Sequence, residues 1–444
     1  MAALLCLLAL TVLMIPGYGL ARLEYPLVII LVLAAMVGGR LGRIRRILPE
    51  LALFYALMLS ASLSIFVYYS THSGFHWRDL MSVLRLPVYS LVLTGALLMP
   101  MDARLKRVFG ALIVLICVVG TLVSVVQYFN IGGLNAFFLQ MYRSHVDTYV
   151  DQFIYGAGER RVIGTAGNPN LWGFVMACYA IYVFARITIA RGYALLPILF
   201  GVIVAIAMTG SRSSLLSFVI GAVTILLSSL RFARSVGPAL LLVAAMTVSM
   251  PVAVVVVAQQ LGSERFDTQN VRSMYGRFYV WRETLKEYQD DLLIGRGPLK
   301  SARKRVKLTD LSDASAFSTR DNNYIAAVAE TGLLGLALLL TLLGIMWVRL
   351  WRLASRVPPS ELHWVLSGLG VMTAWIAFNG TADAFNNVYL AHNFWVLYGV
   401  TLAIAYSSLE GAETAPIPSE IDSNDRDRYA PVDEHAPVQP VARF

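Results

Sequence analysis

Residues 197–230 read PILFGVIVAIAMTGSRSSLLSFVIGAVTILLSSL, two apolar runs separated by the polar turn TGSRSS at residues 209–214. Similar apolar runs recur along the chain, and such runs are long enough to cross about 30 Å of hydrocarbon as helices. Of the 444 residues, 57% are apolar and only 14% are charged. The sequence therefore predicts an all-α polytopic membrane protein and excludes a soluble globular protein.

Hydropathy predicts about twelve transmembrane helices. Their approximate bounds are 3–20, 25–39, 48–69, 80–100, 107–129, 170–187, 192–208, 213–230, 236–258, 324–347, 361–379 and 385–406. The first run lacks a basic leader and a small-residue cleavage site, so we interpret it as a transmembrane helix rather than a cleaved signal peptide. Short basic loops at 40–46, 104–107, 186–191, 231–234 and 349–356 then share one side. The positive-inside rule makes that side, and both termini, cytoplasmic.

The predicted organisation alternates helical blocks with loops. The segments are N-terminal transmembrane helices at 1–130, an external loop at 131–169, central transmembrane helices at 170–258, a large external loop at 259–322, C-terminal transmembrane helices at 323–406 and a disordered cytoplasmic tail at 407–444. Within the large loop, apolar residues at three- and four-residue steps over 274–292 predict an amphipathic helix. The basic run at 300–307 is either a solvated face or a rim that attracts phosphate groups.

Net charge and the positions of histidines and cysteines limit the kinds of ligand and cross-link that the chain could have. The net charge of +9 suits anionic lipid headgroups and phosphates rather than nucleic acid, because no basic soluble module is present. The spacing of the external histidines His72, His76 and His145 predicts no metal site. The cysteines lie in apolar spans and predict no disulfide framework: Cys6, Cys117 and Cys178.

Two arginines are candidate phosphate ligands on the predicted external side, one in a tight turn and one in the large loop. Arg212 stands in the turn between two apolar spans, where it either pairs with Asp383 or Glu330 or binds a phosphate through its planar guanidinium. Arg277, with Trp281 one turn later, is either a solvated helix residue or a second guanidinium for the same phosphate.

Two further arginines are candidate anion ligands. Arg161 precedes residues 164–170, GTAGNPN, which also suit a helix entry and cap. Arg85 falls inside the fourth predicted span, where it either snorkels to the interface or binds a phosphate.

These motifs together resemble the O-antigen ligase and polymerase superfamily over about residues 195–350. The matching pieces, in chain order, are TGSR at 209–212, GR at 276–277 with Trp281, GRG at 295–297, DNNY at 321–324 and ETG at 330–332 followed by Gly335. The upstream GNPN at 167–170 is also typical of that group. Members of the group carry a histidine before the asparagine that ends the large loop, whereas this chain has Asp321 there. His392 in the last span is more typical of a buried structural histidine, so the pattern favours a polymerase over a ligase.

The resemblance implies a fold, a reaction and a site. The donor would be an undecaprenyl-diphosphate-linked glycan, and the reaction would need no metal, nucleotide or other cofactor, because arginines stabilise the diphosphate leaving group. Arg212, Arg277 and Asp321 would be catalytic, with Asp321 as general base unless it only caps the tenth span. Other side chains would bind substrate: Arg161, Arg85, Asn322, Glu330, Asp383 and Trp281. Glu330 and Asp383 are alternative bases.

Location and partners follow from the same resemblance. We expect a bacterial inner-membrane enzyme whose active site faces the periplasm, in contact with membrane lipid and with a chain-length-regulating copolymerase. Two alternatives stay open. One is an O-antigen ligase that transfers glycan to lipid A core. The other is a flippase for lipid-linked oligosaccharides, which would carry repeat symmetry and mid-membrane charges such as Arg85.

Overall fold

The computed structural model describes residues 41–71, 79, 82–142, 161–232, 278, 281–298, 322–382, 384–385 and 387–413, and this part is helical without strands. The helices are α1 (Leu48–Thr71), α2 (Arg85–Leu97), α3 (Ala103–Phe129), α4 (Asn135–Tyr142), α5 (Pro169–Ala190), α6 (Leu196–Met208), α7 (Arg212–Phe232), α8 (Asn323–Ala354), α9 (Leu362–Asn379) and α10 (Val388–Glu413). A 3₁₀ turn at Leu41–Ile47 leads into α1. Residues 281–287 of the large loop are also helical.

Within the described residues, six helical stretches are long and apolar enough to cross a membrane. They contain α1, α3, α5, α7, α8 and α9, while α2 and α6 are apolar but shorter. The all-α architecture and the membrane class are therefore confirmed. The predicted spans at 3–20, 25–39 and 236–258 lie outside the described residues. The count of about twelve spans and the external placement of the large loop remain predictions.

The centre of the bundle is formed by α5 and α9, of which most residues are buried. Glycines let the backbones of α7 and α9 approach closely, because a Cβ on Gly221 would lie 2.9 Å from the carbonyl oxygen of Gly370. Small residues at helix interfaces favour such packing in membranes, where lipid removes the hydrophobic drive between helices. Aromatic rings fill the remaining space, as in the stack of Trp375 on Phe394 at 4.3 Å.

Ion pairs gather at one end of the bundle, around the last turns of α10. Arg43 is 2% exposed and contacts the Glu410 carboxylate at 2.5 Å. Lys106 at the start of α3 bonds to Ser408 of α10 at 3.0 Å. Arg349 at the end of α8 bonds to Glu50 at the start of α1. Three of the predicted basic loops therefore share this end, which we call the ion-pair end. The side of the membrane that it faces stays a prediction.

Helix α8 is interrupted within its apolar stretch. Its Gly332 has φ 68° and ψ −171°, far from helical values, and it divides α8 into a short first part and a long second part. Only glycine adopts this region readily. Residues 292–297 of the large loop pair with the backbone at this break.

Candidate functional site

The other end of the bundle brings together several helix beginnings. Ser214 of α7 donates a hydrogen bond to the carbonyl oxygen of Asn170 in α5 at 3.0 Å. The Asn322 amide, immediately before α8, donates to the carbonyl oxygen of Gly380 at 2.9 Å, at the end of α9. Tyr89, near the start of α2, donates to the carbonyl oxygen of Phe385 at 3.1 Å, just before α10. We call this the site end, because most of the predicted site residues lie there.

Arg161 links α5 to α6 at the site end. Its Nε donates to the carbonyl oxygen of Thr209 at 2.8 Å, and its Nη2 donates to the Oδ1 of Asn170 at 3.0 Å. The adjacent Val162 N–H donates to the carbonyl oxygen of Met208 at 3.1 Å. The guanidinium therefore holds the end of α6 against the start of α5, beside the motif that the sequence singled out.

The TGSR turn at residues 209–212 places Arg212 at the site end. Gly210 has φ 61°, and the hydroxyl of Ser211 accepts the N–H of Ser214 at 3.3 Å, so the turn reverses the chain and caps α7. It packs tightly on α5, since a Cβ on Gly173 would lie 2.8 Å from the Thr209 hydroxyl.

Arg212 itself is exposed and is the first residue of α7. The macrodipole of a helix disfavours a cation at its N-terminus by about 0.3–1 kcal/mol. An anion at this position would be attracted both by the guanidinium and by the positive end of the helix. The dipole of α7 therefore does not account for an arginine at this position.

A small cavity of about 70 Å³, partly open at the surface, lies between α1, α2 and α8. Arg85 and Glu330 both line it, so the structure brings together two predicted site residues from distant parts of the sequence. The remaining wall is largely apolar, with a few uncharged polar groups: Leu57, Ala61, Ser82, Val83, Leu86, Tyr89, Pro298, Asn323, Ala327, Thr331, Gly335, Leu339 and Phe385. Opposite charges in a mostly apolar cavity are typical of a ligand site.

Two predicted site residues at this end of the bundle have clear local roles. Helix α2 begins at Arg85, and residues 79, 82 and 83 before it are also helical. The placement of Arg85 inside a span that begins near residue 80 stays a prediction. The Oδ1 of Asn322 caps α8 by accepting the N–H groups of Tyr324 and Ile325, while its predicted contact with substrate stays a prediction. With its amide donating to Gly380, it positions the start of α8 next to the end of α9.

The remaining predicted residues divide into two groups. Trp281 lies in the helical residues 281–287, half-buried, with its ring 5.1 Å from that of Phe278. Arg277, Asp321 and Asp383 lie outside the described residues.

Arg296 of the GRG motif is held within the large loop. Its Nε donates to Asp291 at 2.6 Å, and its guanidinium lies 4.6 Å from the centre of the Tyr288 ring. Partial burial lowers the pKa of Arg296, but the bond to Asp291 and the neighbouring negative charges raise it above the usual value. This arginine therefore stays charged and shapes the loop.

Sequence reasoning missed several residues of the cavity wall. Tyr89 lies one helical turn after Arg85, and residues four apart share a helix face, so its position could have been anticipated. Its ring packs edge-on against His392 with 5.6 Å between ring centres. His392 is 5% exposed, so it lies behind the cavity wall. Ser82 carried no signal of its own beyond its nearness to Arg85, whereas Thr331 belongs to the ETG motif at 330–332.

Comparison with known proteins identifies a family match within the chain. Residues 196–340 match the family model described as O-antigen ligase. No curated protein matches the chain. The matched segment contains the TGSR turn and Glu330 but not Arg85 or Arg161, which α2 and the approach to α5 supply. The resemblance that the motifs indicated is thereby confirmed: the chain carries a domain of the O-antigen ligase family, within the O-antigen ligase and polymerase superfamily.

Proposed function

We propose that this protein is a membrane glycosyltransferase that polymerises oligosaccharide repeat units carried on undecaprenyl diphosphate, for O-antigen or exopolysaccharide synthesis. The observation that carries the proposal is the cavity that Arg85 and Glu330 share, in a chain with an O-antigen ligase family domain. Arg212 and Arg161 lie at the same end of the bundle. An anionic leaving group and a hydroxyl to be deprotonated both find suitable partners there.

The acidic and basic side chains of the site have different roles in the reaction. The bond between the anomeric carbon of the donor and its phosphate oxygen breaks, and the electron pair leaves with the diphosphate. A hydroxyl of the acceptor glycan forms the new glycosidic bond and gives its proton to a carboxylate, for which Glu330 and Asp321 are the candidates. Guanidinium groups stabilise the departing diphosphate, and the loss of one such donor costs about 2.7–4 kcal/mol in the transition state.

The apolar part of the cavity wall suits the lipid carrier. Leu57, Leu86 and Leu339 supply aliphatic surface beside the two charges. Helix α1, which forms one wall, also carries exposed apolar side chains such as Leu59 and Phe66. Lipid therefore adjoins this wall, and a polyprenyl chain could reach the cavity from the bilayer while its diphosphate stays near the arginines.

The proposal includes a location. The site end would face the periplasm of a bacterial inner membrane, with both termini in the cytoplasm, because the ion-pair end carries the short basic loops. A chain-length-regulating copolymerase is the expected protein partner, as the family resemblance implies.

Deletion of the gene in its native host tests the reaction class. We expect the long glycan ladder to disappear from gels while single repeat units are still exported. Long lipid-linked polymer that accumulates without transfer would indicate a ligase. Repeat units trapped on the cytoplasmic face would indicate a flippase, and either result would refute the polymerase.

A matched pair of variants tests the role of the arginine at the site end. Arg212→Ala should abolish polymer while the protein stays in the membrane. Arg231→Ala changes an arginine at the other end of the same helix, where the guanidinium lies 5.6 Å from the centre of the Trp351 ring, and should leave the product unchanged. Polymer of normal length and amount in the Arg212→Ala strain would remove the arginine mechanism.

A ligase is the second candidate, because the matching family model is described as O-antigen ligase. The two functions differ in the acceptor: a ligase transfers finished glycan to lipid A core, whereas a polymerase transfers it to another lipid-linked glycan. Incubation of the purified protein with lipid-linked repeat units alone distinguishes them, since only a polymerase lengthens the glycan without lipid A core.

A further inference from the structure

The break in α8 coincides with an unusual insertion of backbone. In an unbroken helix the carbonyl oxygens of Ala329 and Glu330 would accept the N–H groups of residues four positions later, Leu333 and Leu334. Instead, Ala329 accepts the N–H of Arg296 at 3.1 Å, and Glu330 accepts the N–H of Gly297 at 2.7 Å. Residues 292–298, which we call the cross-segment, thus occupy the gap between the two parts of α8.

The second part of α8 is bound by the same segment. The N–H of Leu333 donates to the carbonyl oxygen of Leu292 at 2.7 Å, and that of Leu334 donates to Leu293 at 3.4 Å. The cross-segment therefore satisfies two donors and two acceptors at the break. This matters in a membrane, where an unpaired backbone group costs several kcal/mol and irregular backbone is tolerated only when it is buried in protein.

Glycines make the close approach possible. A Cβ on Gly295 would lie 2.6 Å from the backbone nitrogen of Gly332, and one on Gly332 would lie 2.3 Å from the carbonyl group of Leu293. Gly297 approaches α1 in the same way, with a Cβ position 2.6 Å from a side-chain carbon of Ile65. The cross-segment thus fits between α1 and α8 through positions that have no room for a side chain.

A buried serine fastens the cross-segment to α1. The hydroxyl of Ser64 lies 2.5 Å from the carbonyl oxygen of Ile294 and 2.8 Å from that of Ser60 in its own helix, and the residue is 0% exposed. The cross-segment ends at Pro298, which lines the cavity. The segment therefore connects two walls of the cavity, α1 and α8, at the level of Glu330.

We propose that the cross-segment is a clamp that positions Glu330 for the reaction, with Ser64 as a positioning residue that acts through Ile294. The inference rests on the proposed function. Glu330 is bonded to the clamp through its own carbonyl oxygen, so a shift of the clamp moves the backbone that carries its carboxylate. Because Arg85 is on α2 and Glu330 is on α8, their relative placement depends on what holds α8 in register. Reacting groups displaced by about 1 Å can lose up to about a hundredfold in rate.

A matched serine pair tests the clamp. Ser62 also donates to a carbonyl oxygen one turn earlier, Met58 at 2.8 Å, and is the control for Ser64 on the same helix. Full-length protein in proteoliposomes would be supplied with the lipid-linked repeat unit isolated from the deletion strain. We expect Ser64→Ala to lower kcat about tenfold at unchanged KM, Ser62→Ala to match wild type, and Ser64→Thr, which keeps the hydroxyl, to restore kcat.

Amide hydrogen exchange provides a readout that does not depend on catalysis. Peptides that cover the break in α8 should exchange faster in Ser64→Ala than in Ser62→Ala, because Leu333 and Leu334 lose part of their protection. If Ser64→Ala does not accumulate in the membrane, Ser64→Cys replaces it, since a thiol is a weaker donor of nearly the same size.

Different results would refute the clamp and the proposed reaction. Equal exchange in the Ser64 and Ser62 variants, equal kcat, or a rise in KM at unchanged kcat would overturn the clamp. A wild-type protein that does not lengthen the glycan would overturn the proposed function, and the exchange comparison would then decide the clamp alone.

Discussion

Gly332→Ala is the perturbation whose cost can be worked out most directly from the structure. The residue has φ 68° and ψ −171°, a region that costs a residue with a side chain about 1–3 kcal/mol. Its Cβ would also lie 2.3 Å from the carbonyl carbon and oxygen of Leu293. The cross-segment must therefore move away.

That movement removes the bonds from Leu333 and Leu334 to the cross-segment. Each hydrogen bond contributes about 0.5–1.5 kcal/mol net. Strain and lost bonds together destabilise the variant by about 2–6 kcal/mol.

Gly344→Ala is the control, because it lies in the same helix with nothing within 4 Å of its Cβ position. Alanine there should stabilise α8 by about 0.5–1 kcal/mol, since glycine is the poorer helix former. The assay is the apparent melting temperature of the purified protein in detergent, followed by tryptophan fluorescence. We expect opposite signs for the two variants. A Gly332→Ala protein that melts at or above the wild-type temperature would refute the strained break and the steric argument.

Three further predictions concern the charged residues. Arg85→Gln should lower kcat by about 10²–10³ if this guanidinium stabilises the leaving group, and normal turnover in proteoliposomes would contradict that role. Arg161→Lys should lower the apparent melting temperature, because an ammonium group cannot reproduce the two bonds of the guanidinium fork; unchanged melting would argue against its linking role. Glu50→Gln leaves Arg349 without its carboxylate and should destabilise the fold by about 3 kcal/mol. Its turnover at low temperature should match wild type, since the pair is at the ion-pair end, so a loss of turnover there would show long-range coupling to the site.

The local sequence determined the helices and part of the site. Apolar length alone predicts a transmembrane helix, because the bilayer offers no other partner for backbone groups, and α1, α3, α5, α7, α8 and α9 lie where hydropathy placed them. The TGSR turn was also readable, since a glycine, two hydroxyl residues and an arginine between apolar runs leave few alternatives to a capped reversal. The same reasoning located Arg212 at the start of α7.

Only the tertiary structure decided which distant residues meet. No local pattern relates Arg85 to Glu330, because their shared cavity depends on how α2 and α8 pack around α1. The sequence also did not predict that Asn322 caps α8 and ties it to α9. No sequence pattern predicted the insertion of the cross-segment at Gly332 either. The insertion is held by backbone hydrogen bonds, which nearly every residue can make. The sequence therefore shows only the glycines, and the close contacts that require them are visible only in the folded structure.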